Sequence, residues 1–149
     1  IALLGWLVGL WMAWRYASLV QPYLGGLLRD TPLQIWVARI IVLTVLVYFG
    51  YQTVNISRFA GKAARERLQD SLFGAVLGGV NGYLVAGTVL YYNHVANYPY
   101  SKIISRATEP VVAEAIERMM AVMPPRFLAE PQIYFAIIII LIFIIVVYI

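Results

Sequence analysis

Few side chains in this 149-residue chain could do chemistry. His94 is its single histidine, and it has no cysteine. Without a thiol there is no disulfide, thiolate metal site, iron–sulfur cluster or cysteine nucleophile. One histidine with no carboxylate cluster beside it offers no transition-metal ligand set, so no metal and no cofactor are expected. A lone histidine can ligate a haem from a membrane helix, but His94 reads better as a hydrated side chain at a helix end. No serine stands in a nucleophile elbow with a histidine and an acid. The glycine run from Gly74 to Gly87 lacks the Gly-Lys-Ser/Thr ending of a phosphate loop. What remains is Arg15, Arg39, Asn81 and Asp70. Arginine stays protonated and cannot act as an ordinary general base. A carboxamide does not titrate. Asp70 suits the positive end of a helix dipole better than a proton path. The expectation is a protein that is not an enzyme and has no catalytic residue.

The elements that carry these residues are set by composition. Hydrophobic residues make up 62% of the chain and charged ones 12%, and mean hydropathy is +0.81. So much apolar surface could not stay solvated in a disordered chain, nor hide in one small core. The expected class is an all-α integral membrane protein. Net charge is +4. In this setting basic residues are read as topology signals and lipid contacts, with no nucleic acid implied and no soluble small-molecule substrate. The chain starts at Ile1 without methionine and ends in an apolar run, so further segments are expected on either side. Residues 1–10 lack the basic flank and cleavage site of a signal peptide.

Four apolar spans are predicted, at about residues 1–20, 33–54, 71–93 and 131–149. The third has 23 residues without a charge and the fourth 19. At about 1.5 Å per residue such lengths cross, or nearly cross, a hydrocarbon layer of about 30 Å. Gln21-Pro22 is expected to stop the first. Between spans two and three lie Arg58, Lys62, Arg65 and Arg67, which the positive-inside rule places in the cytoplasm. Loop 55–70 is then cytoplasmic and segment 94–130 extracytoplasmic. Tyr91, Tyr92, Tyr98, Tyr100 and Tyr134 fall at the outer interface, where amphipathic rings prefer to lie.

Two amphipathic stretches are expected outside the spans. In residues 108–123, capped by Thr108 and ended by Pro124-Pro125, an apolar face runs Val111, Val112, Ala115, Ile116, Met119, Met120 and Met123, opposite Glu114, Glu117 and Arg118. This helix is expected to lie on the membrane or cap the bundle, with a methionine-rich docking groove as the alternative. Residues 56–68 form the second, whose Arg58, Lys62 and Arg65 suit anionic lipid at about 1 kcal/mol per residue.

The strongest local pattern is in span three, where Gly74, Gly78, Gly82 and Ala86 recur every fourth residue with Asn81 beside them. Small residues at this spacing let another helix approach closely. The ridge is expected to pack within this subunit or against a neighbour, with Asn81 as interhelical glue; a backbone-lined permeation path, with Asn81 on a polar ligand or ion path, is the alternative. Arg15 and Arg39 sit at similar depth in spans one and two. They are expected to snorkel to headgroups or to pair with Asp30, with anionic substrate or lipid binding as the alternative.

The run Asp70-Ser71-Leu72-Phe73-Gly74-Ala75-Val76-Leu77-Gly78, followed by Gly79-Val80-Asn81-Gly82-Tyr83-Leu84, resembles the colicin V production protein (CvpA) family. Residues 5–14, Gly-Trp-Leu-Val-Gly-Leu-Trp-Met-Ala-Trp, look like that family's second span, and residues 38–58 like its third. Ser101-Lys102-Ile103-Ile104-Ser105 and the helix after it resemble its outer tail. The position before the last glycine, often basic in the family, is Asn81 here. A span after Pro131 is not usual for it. The resemblance implies a domain over residues 1–130 with an added helix at 131–149, and a further helix before Ile1. It also implies a multi-pass bacterial inner-membrane protein linked to colicin secretion and envelope homeostasis.

Three functions are weighed. The first is a non-enzymatic scaffold or accessory subunit, partnered by the lipid bilayer and other membrane subunits. The second is a peripheral subunit of a respiratory or photosynthetic complex. The third is a small transporter or channel using Arg15, Arg39 and Asn81, against which stand the absence of acids and of an evident inverted repeat in the spans.

Overall fold

The computed structural model describes residues 2–28, 30–52 and 67–148. Among them there is no strand, and the molecule is all-α. In chain order the helices are α1 (Ala2–Leu24), α2 (Thr31–Gln52), α3 (Arg67–Val95), α4 (Pro110–Ala121), α5 (Pro124–Phe127) and α6 (Gln132–Tyr148). The first three contain stretches long and apolar enough to cross a membrane, in α3 over Gly74–Val95. Helix α6 carries no charged residue and has 17 residues, a rise of about 25 Å against the roughly 30 Å of hydrocarbon.

Helices α1 and α2 form an antiparallel hairpin, and small residues decide how close they come. A Cβ built on Gly5 would lie 2.7 Å from the Gly50 Cα, and one on Gly9 would lie 3.2 Å from the Leu46 Cβ. Between helices in lipid, burial of a leucine gains little, because acyl chains are as apolar as leucine. Dispersion across a tight seam must supply the attraction instead, and bare backbone facing bare backbone allows it. The seam continues into a buried cluster of Trp6, Leu7, Leu10, Ala13 and Leu43, to which α3 adds Leu84 and Tyr92 and α6 adds Ile133. Near the connection, Gln21 Nε2 donates to Gln34 Oε1 at 3.3 Å, and Gln34 Nε2 donates to the Leu28 carbonyl at 2.7 Å.

Several helix ends differ from the expected ones. Pro22 does not stop α1, which runs on to Leu24. A proline in the last turn removes a single hydrogen bond, and the chain can still complete that turn. Thr31-Pro32 opens α2 early, as suits a proline in a first turn. Helix α4 is capped by Glu109, not Thr108, with Pro110 just inside and no side-chain cap bond. Pro124-Pro125 ends α4 but also starts the short α5.

Candidate functional site

Two features stand out. The first is one stripe along α3. Gly74, Gly78, Asn81, Val85, Thr88 and Tyr92 follow alternating steps of four and three residues, which keeps them on one helix face. The upper half of this stripe is used within the chain. Thr88 and Tyr92 are fully buried, Val85 packs on the core cluster, and Thr88 Oγ1 donates to the Leu84 carbonyl at 2.6 Å. The lower half is open. A Cβ on Gly74, Gly78, Gly79 or Gly82 would meet nothing within 4 Å. Residues 74–80 are exposed, and Asn81 makes no side-chain hydrogen bond among the described residues.

The structure therefore places the glycine ridge but brings none of the described helices onto its lower half. The expected line also drifts: Gly82 and Ala86 are exposed, because a strict four-residue repeat rotates by about 40° at each step of a helix with 3.6 residues per turn. Gly87, off that line, is the glycine that packs, with Pro124 Cδ at 2.8 Å and Met123 Sδ at 3.1 Å from its built Cβ. Among the described residues, Asn81 bonds no other helix.

The second feature is a layer of aromatic and charged residues at one end of the bundle. Here the C-terminal end of α3, the middle of α1 and the start of α6 meet. The Trp14 and Tyr92 rings stack at 6.4 Å, and the Tyr92 hydroxyl donates to the Leu10 carbonyl at 3.4 Å. Trp11 Nε1 donates to the Tyr134 hydroxyl at 3.4 Å, which in turn donates to Glu130 Oε1 at 2.7 Å. His94 Nδ1 is 3.0 Å from the Tyr98 hydroxyl, and its Nε2 is 3.4 Å from Glu117 Oε1 on α4. Tryptophan and tyrosine mixed with charge is the composition of a membrane–water boundary.

Arg39 belongs to this layer. Its guanidinium carbon lies 4.4 Å from the Trp14 ring centre and 5.5 Å from that of Tyr92. Asp30 makes no ion pair among the described residues, and Arg39 meets ring faces in place of the expected carboxylate. Arg39 Nε is buried without an acceptor. Arg15 is exposed. Arg58, Lys62 and Arg65, and the helix expected at 56–68, lie outside the described residues, as does the side chain of Asp70.

Within α4 Met120 alone is buried. Met120 and Met123 are buried, while Val111, Val112 and Met119 are exposed. Glu114 and Arg118 pair with each other one turn apart. No group of three or more metal-ligating side chains occurs among the described residues.

The sequence model of the family described as colicin V production protein matches residues 1–121, from the α1–α2 hairpin through α4. The chain belongs to that family. It is a multi-pass membrane protein, from a family not known for enzymes. No curated protein and no solved structure matches it.

Sequence reasoning missed the α1–α2 seam and several members of the layer. The Gly5-x-x-x-Gly9 spacing was a usable signal for the seam. Nothing local pairs Gly5 with Gly50, and nothing local brings Trp14, Tyr92, Arg126 and Glu130 together.

Proposed function

We propose that this chain is a non-enzymatic scaffold or accessory subunit of an inner-membrane assembly, and that it docks on another membrane subunit through the lower half of α3. The observation that carries this reading is the contrast between its two small-residue seams. The Gly5–Gly50 seam is closed at backbone contact distance, whereas Gly74 and Gly78 face open space on a stripe whose upper half is fully packed. A glycine costs helix stability relative to alanine by about 0.5–1 kcal/mol. Lipid contact alone gives no return on that cost, and a closely approaching helix does. Asn81, on the same face, supplies a donor and an acceptor for the partner.

The test compares Gly78→Leu with Leu77→Ala. Leu77 is 60% exposed on α3, and lipid refills the space its side chain leaves. Gly78→Leu is expected to shift the native-gel mobility of the assembly extracted in mild detergent, and Leu77→Ala to leave it unchanged. Equal mobility for both variants and the native chain shows that the ridge faces lipid and removes the docking role.

A further inference from the structure

At the aromatic layer a groove of about 240 Å³ opens between α1, the end of α3, α5 and the start of α6. Its inner wall is apolar and aromatic, formed by Leu10, Trp11, Trp14 and Ile133, and its rim carries Arg126 and Glu130. These two charges are four residues apart on the same groove yet form no ion pair with each other. Glu130 holds only the Tyr134 hydroxyl, and Arg126 has no ion-pair partner among the described residues. The other nearby carboxylate, Glu117, faces His94 on the far side of Arg126.

We propose that this groove holds a phospholipid with a phosphoethanolamine headgroup. The anionic phosphate lies against Arg126, the ammonium against Glu130, and an acyl chain along Trp11, Trp14 and Ile133. Two separated, opposite charges on one rim match a ligand that carries the reverse pair on adjacent groups. An apolar wall directly below them matches an amphiphile better than a free zwitterion. The groove sits where α3 ends and α6 begins, among tryptophan and tyrosine, the side chains that favour the depth of lipid headgroups. An ammonium with N–H donors can bond the Glu130 carboxylate, whereas a quaternary choline offers charge alone and phosphatidylglycerol offers no cation.

The test is native mass spectrometry of the full chain, delipidated in detergent and titrated with phosphatidylethanolamine, phosphatidylglycerol or phosphatidylcholine. Phosphatidylethanolamine is expected to bind on the order of tenfold tighter than phosphatidylglycerol, the size of one charge-assisted hydrogen bond. Arg126→Gln is expected to weaken every phospholipid by a similar factor, while Arg118→Gln, on α4 and away from the groove, changes nothing. Glu130→Gln is expected to abolish the preference for phosphatidylethanolamine. Tyr134→Phe, which leaves both charges in place, is expected to keep it, and so separates charge recognition from local damage. Soluble phosphoethanolamine at equal concentration is expected not to compete. Equal binding of phosphatidylethanolamine and phosphatidylglycerol, undiminished binding by Arg126→Gln, or effective competition by soluble phosphoethanolamine each overturns the assignment.

Discussion

The Arg39 guanidinium lies over the face of Trp14, 4.4 Å from the ring centre, and the two residues join α2 to α1 at the level where α3 ends. An arginine within an apolar span needs a partner, and no acid pairs with it among the described residues. The negative face of an indole serves in place of a carboxylate. A double-mutant cycle of Trp14→Leu and Arg39→Leu, read by thermal unfolding in detergent, should return a coupling of about 0.5–2 kcal/mol. Trp14→Phe should keep part of it. A coupling of zero would mean that the cation is held by headgroups and not by the ring.

The Gly5–Gly50 contact makes a sharper demand. Gly5→Leu places its side chain against backbone, which has no flexible end to give way. It should destabilise the hairpin by about 1–3 kcal/mol or more, as overpacking does. Gly26→Ala is the control, since a Cβ there meets nothing within 4 Å. Thermal unfolding of both variants decides the matter: if Gly5→Leu melts with Gly26→Ala, the two helices do not approach at these residues.

Much of the fold was legible because apolar length and charge placement are local properties. The third span could be read from an uncharged run, and α4 from the alternation of its apolar and charged residues. Helix ends were less legible, because Pro22 and Thr31-Pro32 act according to where in a turn they fall. The candidate site was legible only in part. A four-residue repeat names a small-residue face, but whether a face is covered depends on which helices pack on α3, which no local pattern records. Arg39 was recognisable as a residue in need of a partner. Trp14 as that partner was not, since the pair arises from the hairpin and not from sequence spacing.

Gly87 governs the seat of α5. Pro124 packs on it, and just below, the Tyr83 hydroxyl donates to the Val122 carbonyl at 2.5 Å. A proline ring cannot turn away from an added methyl group, so Gly87→Ala should lift the segment from α3. Trypsin cleavage after Arg126 should then speed up, because proteolysis follows the population of the opened segment. Gly79→Ala, with open space around it, should leave the rate unchanged. An unchanged rate for Gly87→Ala would show that α5 is held by contacts other than this one.

The orientation of the whole chain rests on charge and on the length of α3. Arg58, Lys62, Arg65 and Arg67 precede or open α3, whereas the segment after it balances its basic residues with glutamates. Basic residues close to span ends are retained on the cytoplasmic side. Helix α3 has 29 residues, a rise of about 43 Å, so its two ends emerge on opposite faces if it crosses the bilayer. Cysteines introduced one at a time at Lys62 and Glu114, in a chain that has none of its own, should therefore react oppositely with an impermeant maleimide applied to intact cells. Glu114 is exposed on α4, so the cysteine at 114 should label without permeabilisation and the one at 62 only after it. Labelling of position 62 in intact cells reverses the orientation. Labelling of both positions removes α3 from the membrane, and with it the docking role given to its glycine face.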